Sequence, residues 1–169
     1  MNNKFFNRIL NDKTNLGYEV FKKNWGTAIR LNKTTMIIKI SEECSVHYHE
    51  NNTEEYLVLE GKLAVYESQI IEDNFEKTVS NMREIILLPG DRYSPKPKTA
   101  HVAVNVNENE SIFLELTPQT NIDNDKEIKV YDKEGRIEEL NEYWNNLGYE
   151  KGLSIKDLIS KVKERLLNK

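Results

Sequence analysis

Three histidines are the residues of this 169-residue chain whose spacing points most directly to chemistry. His47 and His49 lie one residue apart in a stretch with strand character, and side chains two positions apart on a strand point to the same face. After a polar turn, Glu54 opens the next strand and brings a carboxylate to the same level. Two imidazoles and a carboxylate suit a divalent cation. The remaining ligand must come from elsewhere, and His101 is the third and last histidine of the sequence.

A histidine on an apolar strand is more often a packed core residue than a ligand, and an exposed His-x-His pair can be an incidental surface feature. Either explanation has to account for three histidines and Glu54 together. The coincidence of all four residues favours a metal site.

These residues resemble the two signature motifs of the cupin superfamily. The first motif reads His-x-His, three or four residues, Glu, six residues and Gly, and residues 47–61 fit it with four intervening residues. The second motif runs from a Gly through a proline-rich approach to His, three residues and Asn, and it fits Gly90, His101 and Asn105. The resemblance covers approximately positions 35–117.

The cupin resemblance implies one bound divalent ion, with iron, manganese, nickel and zinc as the candidates. It places four residues on the ligand positions: His47, His49, Glu54 and His101. Ligands of this kind follow the Irving–Williams order, so cellular supply decides between the ions. The same resemblance implies an all-β fold, the antiparallel double-stranded β-helix or jelly roll.

The pattern along the chain agrees with that fold. Short alternating segments bounded by polar or glycine punctuation predict eight to ten strands in an antiparallel sandwich or barrel. We expect a single domain over residues 1–169, with the barrel at about 17–118. The apolar residues Phe5, Phe6, Ile9 and Leu10 predict a short N-terminal helix, and the polar stretch 68–82 is expected to be a long hairpin loop.

A helical C-terminal extension is predicted at about residues 137–168. Ser154 followed by Asp157 predicts a helix cap. The helix behind it carries one apolar stripe, formed by Ile155, Leu158, Ile159, Val162 and Leu166. Packing of this stripe against the barrel is the main expectation, and a homodimer contact is the alternative.

Composition narrows the class of protein. The net charge is -4 and no basic block occurs, which disfavours nucleic-acid binding. Cys44 is the single cysteine, so no internal disulfide can form. The N-terminus lacks the apolar core of a signal peptide, and the longest aliphatic run, 85–88, is too short to span a bilayer. We therefore expect a cytoplasmic protein that is not bound to membranes.

A second, weaker resemblance concerns the function. Trp25-Gly26 looks like the Trp-Gly that opens the cupin domain of type II mannose-6-phosphate isomerases, and residues 132–136 are similar to that family's closing Asp-x-x-Gly-Arg. The resemblance implies interconversion of aldose and ketose phosphates through a metal-assisted proton shift. Asn24 stands where that family has proline, and residues 50–56 depart from its Arg-x-Glu-His-Trp linker.

We therefore predict an isomerase or epimerase of a sugar or sugar phosphate, with Glu54 and Tyr56 as the catalytic candidates. The candidates for substrate binding are one amide and three cations: Asn105, Lys98, Arg92 and Arg136. Two alternatives stay open, an iron-dependent dioxygenase of a small polar substrate and a non-catalytic cupin that binds a small ligand.

Overall fold

A computed structural model of the chain describes residues 4–51, 53–117 and 126–168. Within these ranges the chain forms two antiparallel sheets of short strands. The strands are β1 (Glu19–Lys23), β2 (Gly26–Asn32), β3 (Thr35–Ile40), β4 (Val46–His49), β5 (Glu55–Glu60), β6 (Leu63–Gln69), β7 (Arg83–Leu87), β8 (Arg92–Tyr93), β9 (Thr99–Asn105), β10 (Ser111–Leu116) and β11 (Glu127–Tyr131). The helices are α1 (Lys4–Leu16), α2 (Phe75–Ser80), α3 (Glu138–Asn146) and α4 (Ile155–Leu167). None of the described helices is long and apolar enough to cross a membrane.

The two sheets face each other as a sandwich, which confirms the predicted all-β architecture. One sheet has the strand order β1-β2-β3-β10-β5-β8, and the other has the order β11-β4-β9-β6-β7. Both sheets contribute side chains to an inner core, because alternate residues of a strand face inwards. The inner core consists of Ala28, Ile38, Ile40, Tyr56, Val58, Leu63, Val65, Leu87, Tyr93, Ala103 and Phe113.

Helices cover the outer face of each sheet. On the six-stranded sheet, Phe6 of α1 packs with Ile29, Ile37 and Ile112, which confirms the N-terminal helix. The side chain of Phe5 lies outside the described part of the structure. On the five-stranded sheet, the outer apolar residues pack against α2, α3 and α4.

The predicted stripe of the last helix packs inside the chain. Four of its residues are buried in the outer core of the five-stranded sheet, namely Ile155, Leu158, Ile159 and Val162, and Leu166 is partly buried against them. The predicted cap is also present. Ser154 Oγ accepts a hydrogen bond from the Asp157 amide at 3.1 Å and donates one to Asp157 Oδ2 at 2.6 Å. The stripe therefore fits the core-packing prediction rather than an unpartnered dimer contact.

Two elements differ from the sequence prediction. The stretch 68–82 contains helix α2 rather than a plain loop, because Asn74 caps the helix and Val79 is buried beneath it. The sheet also continues past the expected barrel limit near residue 118. Strand β11 pairs with β4, where Lys129 lies opposite His47, and so forms an edge of the sheet that carries the histidines.

Candidate metal centre

Strand geometry brings the four predicted ligands together. His47 and His49 face the interior of the sandwich. Val46, the neighbour of His47 on the same strand, faces outwards and packs between the sheet and the helices. His101 on β9 is paired with His47 across the two strands, and Glu54 directly precedes β5 in the facing sheet. All four side chains are buried, and one ligand atom from each lies within 4.8 Å of the others.

The carboxylate of Glu54 is the hub of this cluster. Its Oε1 lies 2.5 Å from His101 Nε2 and 3.9 Å from His47 Nε2, and its Oε2 lies 3.4 Å from His49 Nε2. These separations suit groups that could share one divalent ion. The predicted convergence of these residues is confirmed.

Backbone carbonyls fix the tautomers of two of the rings. The Nδ1–H of His47 donates to the carbonyl oxygen of Ser45 at 2.9 Å, and the Nδ1–H of His101 donates to that of Thr99 at 2.8 Å. When neutral, each ring then presents the lone pair of its Nε2 to the cluster. Among the described residues, His47 Nε2 is buried and has no hydrogen-bond partner. A buried lone pair without a donor is what a metal ion would satisfy, so the residues fit a divalent cation.

Burial and neighbouring charges set the protonation states in this cluster. Burial lowers the pKa of His47 to about 4, so the ring is neutral near pH 7. Burial alone would raise the pKa of Glu54, but the adjacent His101, together with His49 and His47, holds it well below its usual range. A neutral imidazole and an ionised carboxylate are the forms that bind metals.

Tyr56 lies beside the cluster, as its phase on β5 predicts. Its hydroxyl donates to Glu54 Oε1 at 2.7 Å, and the ring is buried in the inner core. Burial and the charge of Glu54 raise the pKa of Tyr56 well above its usual value. The phenol therefore keeps its proton and acts as a donor.

The cluster borders a cavity of about 370 Å³. Its lining includes His47 and Tyr56, together with Trp25 and Arg136. The two short motifs that lie more than 100 positions apart in sequence thus meet at one cavity. The wall also carries two basic and two acidic residues that the motifs do not include: Lys23, Lys129, Glu115 and Glu127.

None of the sequence motifs includes these four wall residues. For Glu127 and Lys129, a signal was present in the alternation of polar and apolar residues over 127–131. Their place beside the metal ligands could not be deduced from it, because it depends on the pairing of β11 with β4.

The structure separates the four predicted substrate-binding residues. Arg136 lines the cavity, and its guanidinium is held by Asp132 through Nε–Oδ2 and Nη2–Oδ1 contacts of 3.0 and 2.9 Å. Lys98 lies in a different groove, 3.3 Å from Glu72. Arg92 pairs with Glu55 and lines a third groove.

Asn105 is also placed away from the cluster. Its amide nitrogen donates to backbone carbonyls of the following turn, those of Asn107 at 3.2 Å and Asn109 at 3.0 Å. Its amide oxygen accepts from the Ser111 hydroxyl at 2.7 Å. These bonds give Asn105 a role in shaping a turn at the end of β9, and the structure does not bring it, Lys98 or Arg92 to the metal cluster.

No protein-family model matches the sequence, and a comparison with curated proteins finds no relative. Solved structures, in contrast, match the fold. One is CapF, a capsular polysaccharide assembling protein from Staphylococcus aureus, with a TM-score of 0.56 and 11% identity over 68% of this chain and 32% of CapF. Another is the oxalate decarboxylase of Bacillus subtilis, with a TM-score of 0.52 and 16% identity over 68% of this chain and 30% of that protein.

A third match is the cupin domain of Drosophila melanogaster CENP-C, with a TM-score of 0.50 and 12% identity over 59% of this chain and 74% of that domain. The present chain spans about a third of the length of CapF and of the decarboxylase. At these identities the matches concern the fold alone. Together with the two facing sheets and the buried cluster of three histidines and a glutamate, they show that the chain has the cupin fold.

Proposed function

We propose that the protein is a metal-dependent isomerase or epimerase that acts on a sugar. The observation that carries this proposal is the position of His47 and Tyr56, which line one cavity of about 370 Å³ together with ionisable wall residues. A monosaccharide fits a cavity of this size, and its oxygens can reach the cluster and the wall at the same time.

The metal part of the proposal rests on the fit of the four buried residues. His47, His49, Glu54 and His101 would hold a divalent ion, which would supply a Lewis acid for a carbonyl or a pair of vicinal oxygens of the substrate. The structurally similar oxalate decarboxylase is described with Mn(II) centres, which supports manganese among the candidate ions.

The proton-transfer part rests on Tyr56 and the acidic wall. Tyr56 holds its proton, so we assign it the role of proton donor. Glu54 is engaged by the histidines and by the Tyr56 hydroxyl, and it therefore serves better as a ligand than as a base. Glu115 and Glu127 place carboxylates in the wall of the same cavity, and we assign the role of proton acceptor to one of them.

Two observations support a carbohydrate substrate. CapF, which matches the fold, is described as assembling a capsular polysaccharide. In the present chain, Trp25 places an aromatic side chain in the wall of the cavity. An aromatic face of this kind suits the apolar face of a sugar ring.

The test is solvent exchange in D₂O. Metal-loaded protein is incubated with a panel of aldoses, ketoses, sugar acids and sugar phosphates, and deuterium at the reacting carbons is followed by NMR. We expect exchange with at least one sugar, and none with metal-free protein or with His101→Gln.

Absence of exchange across the panel would contradict the proposal. Oxygen consumption by the iron-loaded protein would then point to a dioxygenase. If neither exchange nor oxygen consumption is observed, the protein would be a cupin that only binds its ligand.

A further inference from the structure

The wall of the cavity carries equal numbers of cationic and anionic side chains. The cations are Lys23, Lys129 and Arg136, and the anions are Glu115, Glu127 and Asp132. Three positive and three negative groups leave the wall without net charge. The metal cluster, in contrast, would carry a net charge. Glu54 contributes one negative charge, and a bound divalent ion would contribute two positive charges. The cavity with its ion thus has an excess of one positive charge.

The cations of the wall are not equally placed to bind a ligand, because Lys23 is exposed at the end of β1 whereas Lys129 is partly buried. Asp132 occupies two nitrogens of the Arg136 guanidinium, and Glu134 lies 3.4 Å from its Nε. Lys129 is paired with Glu127, but an ammonium group has three donors and one carboxylate leaves some of them to a ligand. Lys129 is also the cation that lies opposite His47 in the pairing of β11 with β4.

Resting on the proposed function, we propose that the substrate is a sugar acid with a single negative charge, and that Lys129 binds its carboxylate. A carboxylate offers one charge to a cavity with one excess positive charge. A phosphate monoester carries about -1.5 to -2 at pH 7 and would over-compensate that charge beside Glu127 and Glu115. A neutral sugar would leave the excess positive charge of the loaded cavity uncompensated.

Binding can be measured separately from turnover. Zinc-loaded protein is titrated calorimetrically with three probes of similar size, which are D-glucuronate, D-glucose and D-glucose 6-phosphate. We expect glucuronate to bind about tenfold more tightly than either of the others, as one charge-assisted hydrogen bond provides. Tighter binding of glucose 6-phosphate than of glucuronate, or binding of none of the three, would overturn the inference.

Two charge variants of one strand give opposite expectations. Lys129→Met removes the excess positive charge, so the affinity for glucuronate should fall about tenfold, to that for glucose. Glu127→Gln adds one positive charge, so the preference should move towards glucose 6-phosphate. Lys161→Met changes an exposed lysine of α4 and should leave all three affinities unchanged. Zinc stoichiometry and melting temperature confirm that each variant is folded and loaded.

The outcomes separate this inference from the proposed function. An unchanged affinity of Lys129→Met for glucuronate would overturn the assignment of Lys129 even if exchange with a sugar is observed. Conversely, the expected charge ranking without exchange in D₂O would leave the binding inference standing and contradict the isomerase.

Discussion

His101 Nε2 lies 2.5 Å from Glu54 Oε1 in the buried centre of the sandwich. The Nδ1–H of His101 donates to a backbone carbonyl, so a neutral ring would direct its lone pair at the carboxylate. Two lone pairs at this distance repel each other unless a positive charge lies between them. A bound cation would supply that charge.

The first prediction concerns this contact. His101→Gln should lower metal affinity at least 100-fold, because it removes one of four ligands and the ring that Thr99 orients. Metal content is measured by elemental analysis after dialysis against defined free metal. Asn105→Ala is the matched control, since its amide shapes a turn away from the cluster, and it should bind metal as the parent does. Equal affinity of His101→Gln and the parent would remove His101 from the ligand set.

The second prediction concerns metal removal. Three apolar cores hold the strands and helices together, and much of their surface is remote from the cluster. Chelation should therefore lower the melting temperature while the β-type circular dichroism persists. At a free metal concentration 100 times Kd, the ion adds about 2.7 kcal/mol to the free energy of unfolding. A chain that becomes unstructured in chelator would show that the ion has a structural role instead.

The third prediction concerns pH. In the metal-free folded protein the pKa of His47 is about 4, below the value of 6.5 for an exposed histidine. Between these values the unfolded chain binds more protons, so the free energy of unfolding should fall as pH falls from about 6.5 to about 4. The lowered pKa of Glu54 acts in the same direction at the acidic end.

Urea unfolding of metal-free protein at pH 7, 6 and 5 checks this slope. His47→Gln, which lacks the titrating ring, should show a shallower dependence over the same range. A metal-free parent that is equally stable at pH 5 and pH 7 would contradict the assigned protonation state of His47.

The fourth prediction concerns Tyr56. Tyr56→Phe removes the hydroxyl that donates to Glu54, so it should cost about 1–2 kcal/mol of stability while one ion still binds. Exchange in D₂O should fall by about 10²–10⁴ because the proton donor is lost. Tyr66→Phe is the matched control. Its hydroxyl also donates to a carboxylate, Glu84 Oε1 at 2.5 Å, but it packs with the outer core, so exchange should survive. Full exchange in Tyr56→Phe would exclude the proposed role.

The fifth prediction concerns the last helix. Ser154→Ala should lower the free energy of unfolding by about 1 kcal/mol, because the Asp157 amide loses its cap. Ser160→Ala is the control, since that hydroxyl bonds to the exposed carbonyl of Lys156 inside the helix, and it should have a smaller effect. Chemical denaturation compares the two variants. Equal effects would show that the cap does not hold the helix.

The sequence by itself determined the ligand set and the class of fold. A pair such as His47 and His49 is local, and strand periodicity fixes its common direction whatever the rest of the chain does. The cap at Ser154 and the apolar stripe of α4 are local patterns for the same reason. Short alternating segments likewise predict an antiparallel sandwich without any knowledge of the strand order.

Tertiary structure alone decided which other residues reach the site. Lys129 comes beside His47 because β11 returns to pair with β4, and that pairing depends on packing between segments about 80 positions apart. Asn105 lies on the same face of its strand as His101 by periodicity. Its side-chain amide nevertheless makes its hydrogen bonds within the turn that follows β9. Periodicity gives the face of a strand, but the partners at its ends and edges are set by long-range contacts that a single sequence does not encode locally.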